Sequence, residues 1–186
     1  MLAVLIIAVL VAAVALMRGG SLESLAATRA QWLWLVWVAL LIQGTLILEP
    51  SWLSDAGALA VLITTNLAII LFMVLNRTLP GMLIAAVGLL LNLVVISANG
   101  AMPVSDRVLG MADIDESALD SAGLKHERMT DDTALPWLGD VVPITPLREI
   151  WSLGDFVLAA GIGYFMWART LAGRKRARHR TRGTPH

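Results

Sequence analysis

The chain has 186 residues, of which 58% are hydrophobic and 15% charged, and its mean hydropathy is +0.75. A soluble domain is about half apolar and about a quarter charged, so a bilayer has to be this chain's main solvent, and no nucleic-acid partner is expected. The absence of cysteine removes disulfides, thiolate metal sites, thiol catalysis and cysteine-linked lipid anchors.

Residues 1–17 are uninterruptedly apolar, and runs at 31–49, 56–76, 81–98 and 151–171 repeat the pattern. Each run measures about 25–32 Å as a helix, matching a hydrocarbon core of about 30 Å. The expected fold is therefore an all-α polytopic bundle of five spans. It comprises one transmembrane domain over 1–172, with an acidic connection at 99–150, and a basic tail at 173–186 expected to be disordered. Ala13-Val14-Ala15 offers a small-residue cleavage site. With Arg18 after the apolar run and no base before it, however, the first segment reads as an uncleaved anchor; cleavage would leave four helices.

The formal net charge of zero conceals a strong asymmetry. Arg169, Arg174, Lys175, Arg176, Arg178, Arg180 and Arg182 follow one another without an acid, whereas acids outnumber bases between Ser97 and Gly154. With five spans, Arg18, Arg29 and Arg77 fall on the side of the tail, so the excess of bases puts the tail in the cytoplasm and the N-terminus and acidic loop outside. Bases are almost all arginine, with Lys125 and Lys175 the exceptions, a usage that points to a bacterial genome and hence to the bacterial cytoplasmic membrane. Trp32, Trp34 and Trp37 are expected at the inner headgroup level, and Trp52 and Trp151 at the outer one.

Gln43, Asn66 and Asn92, in the second, third and fourth spans, fall at a similar depth and are expected to hydrogen-bond one another. They would act as an intramembrane polar layer that glues helices or lines a lipid or small-molecule site. Gly81, Ala85, Gly88, Asn92 and Asn99 form a small, polar face suited to close helix packing. No ionisable residue falls mid-span, which disfavours ion-coupled transport. Asn99-Gly100 suits a left-handed exit from the fourth helix and Pro103 stops it; with His126, these three are the loop's binding candidates. In the loop, 115–124 is expected to form a short helix. The stretch 134–147, broken by Pro136, Pro143 and Pro146, is expected to lie at the outer interface. His126 has no second histidine at ligand spacing, so neither a metal nor a cofactor is expected.

Trp137-Leu138-Gly139-Asp140-Val141-Val142 is echoed fifteen residues later by Ser152-Leu153-Gly154-Asp155-Phe156-Val157. If Asp140 and Asp155 face each other, repulsion raises one pKa and the pair can serve as acid and base on one water. Alternatively, Asp155 caps the last helix and Asp140 closes a turn.

Asn99-Gly100 with Met102-Pro103, Lys125-His126, and the paired Leu-Gly-Asp sequences resemble an uncharacterised family of bacterial multi-pass membrane proteins known as a domain of unknown function. That likeness runs over nearly the whole chain and implies no activity. A fainter resemblance is to lipoprotein signal peptidases, membrane aspartyl enzymes with their catalytic carboxylates at the outer end of the bundle. Asp106-Arg107, Gly139-Asp140-Val141-Val142 and Gly154-Asp155 carry it. Ser152 stands where that family has an asparagine, and the loop is longer. The reading favoured by sequence is a non-enzymatic accessory or assembly subunit that presents its outer loop to a membrane-protein partner, with the basic tail on anionic lipid. The alternatives are an interfacial aspartyl hydrolase using Asp140 and Asp155, and a passive lipid or small-molecule binding protein.

Overall fold

In the computed structural model, which describes residues 2–46, 53–111, 126–147 and 149–172, the apolar runs are helices and the polar connection pairs as short strands. The helices are α1 (Leu2–Met17), α2 (Leu22–Ala26), α3 (Leu33–Leu46), α4 (Asp55–Leu75), α5 (Met82–Asn99), α6 (Asp106–Met111) and α7 (Leu153–Thr170). Two of them, α4 and α5, are long and apolar enough to cross a membrane. The expected helix at 115–124, Trp52 and the basic tail from Arg174 lie outside the described residues.

Local chemistry sets the helix ends. Ser54 caps α4, its hydroxyl accepting from the Gly57 N–H at 3.2 Å. The expected left-handed exit from α5 is present: Gly100 has φ 86 and its N–H donates to Ile96 O at 2.8 Å. Gly81, at φ 82, opens the same helix, and both positions favour a residue without Cβ.

The main helices pack in a row, α1 against α7, α7 against α5, α5 against α4 and α4 against α3. A cluster of Phe72, Met73, Ala85, Ala86 and Leu158 joins α4, α5 and α7, with Leu35 and Val36 of α3 against it. The closest crossing is between α5 and α7, where Gly81 and Gly88 meet Gly154 and Gly161. A methyl on Gly88 would stand 2.6 Å from Gly154 O, and one on Gly161 2.7 Å from Gly81 O. The small face anticipated on the fourth span is thus a backbone-to-backbone contact.

One end of the row is capped by β structure. Strands β1 (Met102–Val104) and β2 (His126–Arg128) pair in parallel; β3 (Val142–Ile144) and β4 (Glu149–Trp151) pair antiparallel. A parallel bridge between Val104 and Asp140 joins the two ladders, with the Asp140 N–H donating to Pro103 O at 2.8 Å. The chain is therefore mostly helical rather than purely so. Prolines at 136, 143 and 146 bar a continuous α-helix in this stretch, which instead forms two single-turn 3-10 helices, Pro136–Leu138 and Thr145–Leu147, and strand pairs that satisfy its backbone. Trp151, expected among interfacial aromatics, is only 4% exposed. It packs with Val4 and Ala159, and its indole N–H donates to Glu149 Oε2 at 2.9 Å.

At the opposite end, residues 18–32, the α4–α5 connection and the end of α7 gather. Buried Asn76 clamps the start of α3: its Oδ1 accepts from Gln31 N–H at 2.8 Å and its Nδ2 donates to Gln31 O at 2.8 Å. Arg169 Nε donates to Thr28 Oγ1 at 2.8 Å, tying α7 to the same connection. Asn76→Ala is expected to lower stability by about 2 kcal/mol, since it removes both hydrogen bonds to the Gln31 backbone, each contributing about 1 kcal/mol. The check is a shift of the denaturant midpoint in detergent at unchanged slope.

Candidate functional site

The capped end brings together the two halves of the Leu-Gly-Asp repeat. Ser152 and Asp155 form a capping box at the start of α7: Ser152 Oγ accepts from Asp155 N–H at 3.0 Å, and Asp155 Oδ2 accepts from Ser152 N–H at 3.0 Å. This fulfils the expectation that Asp155 caps the last helix, but the network extends further. Asn92 of α5 donates from Nδ2 to Asp155 Oδ1 at 2.8 Å, and Ser152 Oγ stands 2.9 Å from both Asn92 Oδ1 and Asp155 Oδ2. The single hydroxyl proton can serve only one of those acceptors at a time. Gly154 makes the arrangement possible, because Asn92 occupies the space that a Cβ there would take.

Asp140 enters from the sheet rather than from a turn. Its backbone is held between Pro103 O and the Ser105 N–H, and the neighbouring Val141 N–H donates to Trp151 O at 3.3 Å. The residue is 3% exposed and its Oδ1 is buried without a hydrogen-bond partner. Its Oδ2 stands 3.4 Å from His126 Nε2 on β2. Burial raises the Asp140 pKa above the ordinary carboxylate value, His126 opposes the rise, and the nearby charge of Asp155 adds to it. A carboxylic acid held in this way can donate a proton at a pH where free carboxylates have lost theirs.

The other candidates from sequence disperse. Gln43 donates to Thr65 Oγ1 at 2.9 Å and Asn66 to Leu62 O at 2.8 Å, while Asn92 serves Asp155. The expected layer of mutually bonded carboxamides is replaced by separate pairs, because a side-chain amide is bonded more readily to its own helix or to a facing side chain. Asn99 clamps the loop, exchanging two hydrogen bonds with the Ala134 backbone. Gly100 ends α5, and Pro103 is a fully buried member of β1. Asp106 opens α6 on the surface, 3.8 Å from Arg128, a separation and exposure at which an ion pair contributes little. Among the described residues no cluster suits a metal ion. The roles of Ser152 and Asn92 were missed from sequence. The spacing Ser152-x-x-Asp155 is a capping-box signature and was the available signal for the first; nothing local marks Asn92.

A profile described as a family of unknown function, DUF5317, matches residues 27–167. The chain belongs to DUF5317. The match contains Asn92, His126, Asp140, Ser152 and Asp155, and leaves α1 outside the DUF5317 region. No curated protein and no solved structure matches the chain significantly.

Proposed function

We propose that this DUF5317 protein is a five-span protein of the bacterial cytoplasmic membrane whose β-capped end faces outward and carries an aspartyl hydrolase site. The membrane reading is supported by apolar side chains turned away from the core along the helices. Leu5 and Val9 of α1, Trp37 and Leu41 of α3, Leu67 and Leu71 of α4, and Leu83 and Val87 of α5 are all exposed, more apolar surface than a water-soluble monomer tolerates. The gathering of Arg18, Arg29, Arg77 and Arg169 toward the uncapped end supports the orientation. On the same reading the tail from Arg174 to Arg182 meets anionic lipid.

The observation that carries the hydrolase reading is Asp140, a buried carboxyl with one unpartnered oxygen, at the same end of the bundle as Asp155. Asp155, oriented by Asn92 and Ser152, takes a proton from water as the water oxygen attacks a carbonyl carbon. Asp140 gives its proton to the carbonyl oxygen. As the tetrahedral intermediate collapses, Asp155 gives the proton taken from water to the leaving group and Asp140 recovers its proton from the hydroxyl as the carbonyl re-forms, so no cofactor is needed. Asn92 and Ser152 are positioning residues. The faint likeness to lipoprotein signal peptidases, carried by the same two aspartates, agrees with this chemistry.

The rival reading, an accessory subunit, draws support from Asp155, whose two oxygens are already engaged in the capping network. Mass spectrometry of species co-purifying from native membranes separates the two, with wild type compared to an Asp140→Asn, Asp155→Asn variant. A peptide or lipid species enriched at least tenfold on the variant is expected, as trapped substrate. A stoichiometric protein partner retained equally by both forms would replace the hydrolase with the accessory subunit.

A further inference from the structure

α1 and α7 touch at the capped end, through Val4 and Ala159, and are tied again at the far end, where the Ser21 N–H after α1 donates to Thr170 O at 2.9 Å. Between them runs an open groove of about 460 Å³, within the usual range for a small-ligand site. Ile7 and Val11 of α1 form one wall and Ala160 and Gly163 of α7 the floor; Phe156 and Trp167 mark its two ends. α7 carries small residues there, and a methyl added to Gly163 would come into ordinary contact with Val11, at 3.7 Å. From Phe156 to Trp167 the helix rises about 16 Å, half of a hydrocarbon core of about 30 Å. Its lining is almost wholly hydrocarbon. At the Trp167 end Arg18 lies over the indole ring, 5.5 Å from its centroid, so a cation stands where an apolar slot reaches the end of the bundle.

The geometry points to a bound lipid: one acyl chain of an anionic phospholipid fills this groove, and its phosphate lies against Arg18. Slot length fits one leaflet's depth, and the charge at its mouth complements a phosphate. The inference does not depend on the aspartyl reading, since neither Asp140 nor Asp155 lines the groove.

The test is native mass spectrometry of the full chain released from nanodiscs of mixed phosphatidylglycerol and phosphatidylethanolamine. Wild type is expected to retain one phosphatidylglycerol. Gly163→Leu and Ala160→Phe, which fill the groove from two positions, are expected to lower retention at least tenfold. Gly44→Leu, at a site with nothing within 4 Å, is expected to leave it unchanged and controls for added hydrophobicity. Arg18→Gln is expected to abolish the preference for phosphatidylglycerol. Equal retention by wild type and both filled variants would overturn the inference. So would a wild-type dimer that the filled variants break, which would make a second copy the occupant.

Discussion

Gly154→Ala is expected to be strongly destabilising, costing about 3 kcal/mol or more. Two effects combine. The new methyl would sit on Asn92 and 2.7 Å from Gly88 O, and overpacking of a tight contact costs about 1–3 kcal/mol. Asn92 must then turn away, which removes its bond to Asp155 and its contact with Ser152, a further loss of about 1.5–3 kcal/mol where one partner is charged. Gly88 and Gly161 face backbone in the same way, so neither helix can retreat without opening the crossing. Gly44→Ala is the control. Gly44 lies within α3 with open space around its Cα, so alanine there is expected to be neutral or to stabilise by up to about 1 kcal/mol. Denaturant titration of the two variants in one detergent checks both. Equal midpoints would mean that the α5–α7 crossing is looser than described.

Asp140→Asn is expected to raise stability at neutral pH while abolishing the proposed hydrolysis. Burial puts the folded pKa of Asp140 above its value of 3.8 in the unfolded chain. The carboxyl's contribution to folding is therefore fully present below 3.8 and is lost as pH rises through the folded value. At neutral pH the protein bears the cost of burying part or all of a charge. Asparagine has the same shape and no charge, so the variant is expected to gain about 1 kcal/mol there, with the gap closing as the pH falls toward that of the free carboxyl. Denaturant midpoints of both proteins between about pH 4 and about pH 8 give the comparison. A variant less stable than wild type across that range would show that the contact with His126 outweighs desolvation and that Asp140 is an ordinary structural acid. A stable variant without activity is what separates a reacting group from a packing one.

Much of the architecture was legible because bilayer-compatible helices leave a long, simple signal. The runs expected at 56–76 and 81–98 appear as Asp55–Leu75 and Met82–Asn99, within a residue at each end, since Ser54 and Gly100 are caps that can be read directly. The last helix starts at Leu153 rather than 151 because Trp151 belongs to a strand, and a three-residue strand has no periodicity to detect. The Gly81, Ala85, Gly88 face was legible as an interface, but not its partner, because Gly154 and Gly161 acquire meaning only when α7 lies against it.

The sequence alone was enough for the long apolar helices, the resemblance to an uncharacterised family and the recurrence of Leu-Gly-Asp, but not for the short helices Leu22–Ala26 and Asp106–Met111. Each is carried by neighbouring residues, whose hydropathy, caps and spacing act over one or two turns of chain. Only the tertiary structure decided that Asp140 is buried in a strand bridge while Asp155 is tied to Asn92. It also decided that Gln43 and Asn66 find separate partners, and that α1 leaves a groove along α7. Several of those outcomes depend on contacts between residues far apart in the chain, such as Asn92 with Ser152 and Val4 with Ala159. Burial, and with it the energy of a charge or a hydrogen bond, is a property of the packed neighbourhood and not of the residue.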